Sequence, residues 1–78
     1  MDYDKDKVDE MTLALMYLVM SRTPTGGRVW KTFDVPTLDR LREKGWIANV
    51  NSRSATVDVT EMGTKKAEEL FREHFQSA

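Results

Sequence analysis

The chain has 78 residues, no cysteine and a net charge of −1. This excludes a disulfide framework, a thiolate metal site and a chain that is basic along its whole length. So short a chain buries only about 60–65% of its unfolded surface, which leaves close helix packing or oligomerisation to complete its stability. The absence of cysteine suits a reducing cytoplasm, which is the expected location.

Residues 1–7, MDYDKDK, are acidic and expected to fray, with residues 8–76 forming a single domain. A first helix is expected from Val8 to Ser21. It contains MTLALMYLVM, Met11–Met20, in which only Thr12 is polar. A membrane span needs about 20 apolar residues, and this run is flanked by Asp9, Glu10 and Arg22. The acidic leader also lacks the basic start of a signal peptide. The run therefore reads as a core helix with two apolar stripes. Val8, Met11, Leu15 and Leu18 form one, assigned here to the chain's own core. Leu13, Met16, Tyr17 and Met20 form the other, left spare.

SRTPTGG follows as a loop, on the turn chemistry of Pro24, Gly26 and Gly27. RVWKTF, Arg28–Phe33, is compatible with a short third strand or a stunted helix. A second helix is expected over residues 36–44. Asp34 is its cap, Phe33 and Leu38 sit at the spacing of a hydrophobic staple, and Gly45 closes it. WIANV and ATVDV read as the strands of a hairpin, with NSRS as a tight turn between them. Thr60 caps a third helix in which Ala67, Leu70, Phe71, His74 and Phe75 share one face. Glu61–Lys65 and Glu68–Arg72 are helpful i,i+4 pairs there. A hairpin cannot stand alone, so it must lie on the helices, and the fold class is α+β with helices dominant.

LDRLREKGWIANV followed by ATVDVTEMGTKKAEEL resembles the second half of a winged helix-turn-helix domain. The resemblance is to small bacterial regulators of the multiple-antibiotic-resistance and phenolic-acid-repressor types. Val59, Thr60, Gly63, Ala67 and Leu70 match the start of that family's closing helix. The whole chain also looks like a small bacterial family of uncharacterised proteins sharing Trp30, Lys31, Phe33, Asp34 and the stretch Leu38–Ile47. The first resemblance implies a transcriptional regulator that docks helix 36–44 in a major groove of double-stranded DNA, with the wing at residues 50–54 beside it. The room between the first two helices departs from that pattern, because a full helix hardly fits after SRTPTGG.

Charge gives that reading partial support. Residues 22–53 hold seven bases (Arg22, Arg28, Lys31, Arg40, Arg42, Lys44, Arg53) against three acids (Asp34, Asp39, Glu43). The candidate DNA contacts are Arg28, Lys31, Thr37, Arg40, Lys44 and Arg53. A wheel at about 100° per residue turns Arg40 and Lys44 outward, together with Asp39 and Glu43. Those carboxylates would repel phosphates, which favours the alternative of a protein–protein interaction module without DNA. Winged-helix regulators of the resembling types dimerise through terminal helices. That implies a homodimer in which Leu13, Met16, Tyr17 and Met20 pair, assisted by Phe71 and Phe75.

Trp30 and Trp46 are expected in the core, rather than as stacking platforms for single strands. His74 is the only histidine and has no nucleophile or metal-ligand pattern around it. TPTGG lacks the spacing of a phosphate loop. No enzyme activity, cofactor, metal or membrane association is expected.

Overall fold

The computed structural model describes residues 1–77. Helix α1 spans Lys5–Val19, strand β1 Ser21–Thr23, β2 Gly26–Trp30, helix α2 Val35–Glu43, β3 Ile47–Ala48, β4 Thr56–Val59 and helix α3 Glu61–Phe75. Three helices and one four-stranded antiparallel sheet make the fold α+β, as the hydrophobic patterning predicts. The strand order is β1-β2-β4-β3.

The uncertain segment is a strand. β2 pairs with β1 through a two-residue turn at Pro24 and Thr25, and with β4 in the register Trp30↔Thr56, Val29↔Val57, Arg28↔Asp58. RVWKTF thus extends the hairpin sheet, and no helix occupies the place of a stunted second helix among the described residues. The predicted hairpin is shorter than its sequence suggests. β3 has two residues, and residues 49–55 form a loop with Asn49 at φ +61 in place of a tight NSRS turn.

The helix boundaries follow from their caps. Asp4 accepts a hydrogen bond from Lys7 N at 3.0 Å, so α1 begins at Lys5 and residues 5–7 are helical, not frayed. Asp34 caps α2 through Thr37 N at 3.2 Å. Gly45 closes that helix at φ +79, where a side chain would be strained, and Trp46 N reaches back to Leu41 O at 3.0 Å. Thr60 caps α3 through Gly63 N at 2.9 Å.

Alternation along the strands puts Gly27, Val29, Val57, Val59 and Ile47 on the face beneath the helices, and Arg28 and Trp30 on the opposite face. Leu13, Ala14, Met16, Leu38, Leu41, Ala67 and Leu70 complete the core from the helices. Each large side chain buried there contributes about 1.5–3 kcal/mol.

Two packing expectations are overturned. Leu13 and Met16 have no accessible surface and belong to the chain's own core, and Tyr17 and Met20 pack partly buried against it. The spare stripe of α1 is instead the other one: Leu15 is 47% exposed, Leu18 65% and Val19 62%. Trp30 is also not in the core. It stands 66% exposed on the helix-free face of the sheet, because a residue two positions from Arg28 shares its side of the strand.

Candidate interaction site and the α1–α2 clamp

The apolar stripe of α1 and the carboxylates of the same helix are two products of one rotation. Asp9, Leu13 and Met16 are spaced by four and three residues and so share a helix face. When Leu13 and Met16 turn into the core, Asp9 is carried in with them and is fully buried. A buried carboxylate must be paired and hydrogen-bonded. Its partners come from α2, where Arg40 and Lys44 are four residues apart on one face.

Arg40 Nε donates to both carboxylate oxygens of Asp9, at 2.9 and 3.0 Å, and Lys44 Nζ donates to Oδ2 at 2.8 Å. Lys44 also reaches the exposed Asp6 at 3.0 Å. On the other side, Arg40 Nη2 donates to Thr37 Oγ1 at 3.1 Å, and that hydroxyl donates to Asp34 at 2.7 Å. The chain of contacts runs from Asp6 through Lys44, Asp9, Arg40 and Thr37 to the cap of α2, and it fixes α1 against α2. Burial, the largest single influence on Arg40 and on Lys44, pulls their pKa values down. The hydrogen bonds and charge of Asp9, and for Lys44 those of Asp6, outweigh it, so both groups are held above their ordinary values.

This places the residues expected to meet DNA. Arg40 and Lys44 face α1 instead of solvent, and Thr37 is buried inside the clamp. The wheel turns Arg40 and Lys44 outward only if α2 has no neighbour on that side. Lys31 is tied down too: its Nζ donates to Val50 O at 3.1 Å and Ser52 O at 2.7 Å, which holds the 49–55 loop. Arg28 is exposed and meets Asp58 at 3.4 Å. Arg53 is exposed in the loop. The structure therefore brings Arg40, Lys44 and Thr37 together as a structural clamp, and leaves Arg28 exposed on β2 and Arg53 exposed in the 49–55 loop.

Of the residues expected at a dimer contact, Leu13 and Met16 are unavailable to a partner. Tyr17 packs against Phe71 with the rings tilted and their centroids 5.5 Å apart, and Phe71 against Phe75 in the same way at the same distance. Phe75 stays partly exposed. The residues available for contact are Leu15, Leu18 and Val19, with Val8 and Met11 half-buried on the same side of the helix. Val8, Met11, Leu15 and Leu18 are spaced by three, four and three residues, the repeat of a helix-pairing seam. The N-terminal end of this seam borders a groove lined by Tyr3, Val8, Thr12 and Phe33.

Sequence reasoning missed Asp6 and Asp9. The signal was present: Asp9 falls on the Leu13/Met16 face, and Arg40 and Lys44 supply matching cations at helical spacing. Among the described residues no three His, Asp or Glu side chains gather in a metal-binding group, and no helix is long and apolar enough to cross a membrane.

A family described as a domain of unknown function, DUF6429, matches residues 4–77. The chain is 39% identical over 75 residues to the uncharacterized protein y4hR of Sinorhizobium fredii, covering 96% of this chain and 97% of that protein. Neither match carries a winged-helix name. No solved structure matches the chain.

Proposed function

The chain belongs to the DUF6429 family, and from the geometry of α1 we propose that it is a protein–protein interaction module that pairs with a second copy of itself through that helix. The observation that carries this reading is the exposed seam of Leu15, Leu18 and Val19 on a helix whose opposite face is already filled. A chain of this size has little apolar surface to leave in water, and a contiguous apolar stripe marks an interface. A two-fold pairing of α1 with its copy covers the same patch on both chains, as a closed symmetric dimer requires. Standard interfaces bury about 800 Å² per partner, so the seam needs the bordering groove at Tyr3, Val8 and Phe33 as its continuation.

The likeness to a winged helix is carried by α2, the β3–β4 hairpin and the start of α3. Between α1 and α2 the described residues have the β1–β2 hairpin and no further helix, which departs from that pattern. The regulator reading, in which α2 enters a major groove, loses Arg40 and Lys44 to Asp9. This pairing favours the module without duplex DNA. Light scattering across the micromolar range tests the proposal. A mass twice the 9.0 kDa of one chain supports it, and a mass of one chain throughout sinks it.

A further inference from the structure

The apolar stripe of α1 differs at its two ends. At the C-terminal end Leu18 and Val19 are well over half exposed and project from the surface. At the N-terminal end Val8 is half-buried and lines a groove with Tyr3, Thr12 and Phe33. One end therefore carries protruding apolar side chains and the other an apolar hollow. The gaps of three, four and three between Val8, Met11, Leu15 and Leu18 read the same from either end. Val19 lies seven residues beyond Thr12, about two turns on, and so shares the side of the helix on which the groove opens.

Given the self-pairing of α1 proposed above, on which this step rests, we infer that the two copies lie antiparallel, with Leu18 and Val19 of each chain closing the groove at Tyr3, Val8 and Phe33 of the other. A reversed second helix sets its Leu18 against Val8 and its Leu15 against Met11, and the two-fold axis repeats both contacts. That axis is perpendicular to the helices, so the Thr12 side of both copies falls on one side of the pair. There Val19 of one chain meets the groove of the other. A parallel pairing sets Leu18 against Leu18 and leaves both grooves open to water. Charge points the same way. A wheel at about 100° per residue puts Lys5 and Lys7 on either flank of the stripe, and both are exposed. Asp4 is engaged at the helix cap and Asp6 with Lys44. The last turn of α1 has no basic residue, and Arg22 lies over the Tyr17 ring at 6.0 Å. In the antiparallel pair the lysines of one chain lie beside the negative end of the partner helix, where cations are stabilising. In a parallel pair they crowd against their own copies.

The chain has no cysteine, so introduced thiols report the direction. Val8→Cys and Leu18→Cys are oxidised separately and as an equimolar mixture after subunit exchange. Expected is a linked species of about twice the 9.0 kDa chain mass in the mixture and little in either variant alone. Ten residues of helix separate positions 8 and 18 by about 15 Å, and a disulfide needs Cα atoms within about 7 Å. Tyr3→Cys mixed with Val19→Cys, both at exposed positions, repeats the test at the groove and does not depend on the half-buried Val8. Linkage of each variant with itself as readily as in the mixtures would overturn the antiparallel arrangement and leave the α1 pairing standing. A dimer by sedimentation with no linkage in either mixture would overturn both, and so would a single chain at every concentration.

Discussion

Arg40 reaches across from α2 and places its Nε within 3.0 Å of both carboxylate oxygens of Asp9, a residue with no accessible surface. This contact is compatible with only one rotation of α1. With Asp9 inward, Leu13 and Met16 enter the core and Leu15 and Leu18 face out. The ion pair and the exposed seam are therefore parts of one arrangement.

Replacing Asp9 leaves two cations without their shared carboxylate in a partly dry site. Asp9→Asn is expected to destabilise the fold by about 3 kcal/mol, the low end of what removing one member of a buried pair costs. Asp6→Asn, at an exposed position, should change stability by less than about 0.5 kcal/mol. Urea unfolding of both variants checks the contrast; equal effects would mean that Asp9 is not the centre of the clamp.

The raised pKa of Lys44 gives the clamp an alkaline limit. Burial alone would lower it, and Asp9 and Asp6 more than reverse that. A folded value above the unfolded one means that the protonated lysine stabilises the fold. That stability is fully present below the ordinary lysine value of about 10.4 and is lost as pH rises through the higher folded value. Melting temperature followed from about pH 9 upward should fall more steeply in the parent chain than in Lys44→Met. Parallel curves would remove Lys44 from the account of the clamp.

Gly63 lies where α3 crosses the start of β3. A Cβ at this position would meet Trp46 O, Trp46 C and Trp46 Cα far inside contact distance, against backbone that cannot swing aside. Gly63→Ala should therefore cost about 3 kcal/mol or prevent folding, as overpacking of a close contact does. Gly45→Ala, whose cost is mainly that of the left-handed backbone, should lose about 1 kcal/mol. Thermal unfolding of the two variants gives the ranking, and the reverse order would contradict this packing of α3.

Lys31 holds the 49–55 loop by two hydrogen bonds to backbone carbonyls. Lys31→Met should cost about 1–2 kcal/mol. It should also raise amide exchange in residues 49–55 ahead of the rest of the sheet. Unchanged exchange there would show that the loop is held by other contacts.

The local signals in the sequence carried further than the long-range ones. The caps at Asp34 and Thr60, the closing Gly45, and the pairs Glu61–Lys65 and Glu68–Arg72 depend on neighbours a turn away, and the structure has all of them. The β1–β2 hairpin was hidden, because three residues of β1 show no alternation and the glycines of β2 contribute no pattern. Both stripes of α1 were visible in the spacing. Which of them faces inward was not, since it goes with the packing of Leu13 and Met16 in the core and with a carboxylate meeting two cations more than thirty residues away. Giving Asp9 no place in the packing left the stripes assigned the wrong way round. It also left Arg40 and Lys44 free for DNA when they are held by α1.

Sedimentation of the parent chain beside a Leu15→Glu/Leu18→Glu variant, at matched micromolar concentrations, tests the α1 seam most directly. Both substitutions sit on exposed positions and leave the core intact. The parent should sediment as a species of twice the 9.0 kDa chain mass and the variant as a folded single chain. If the two sediment alike, whether both as dimers or both as monomers, the exposed seam of α1 is not the surface through which this protein assembles.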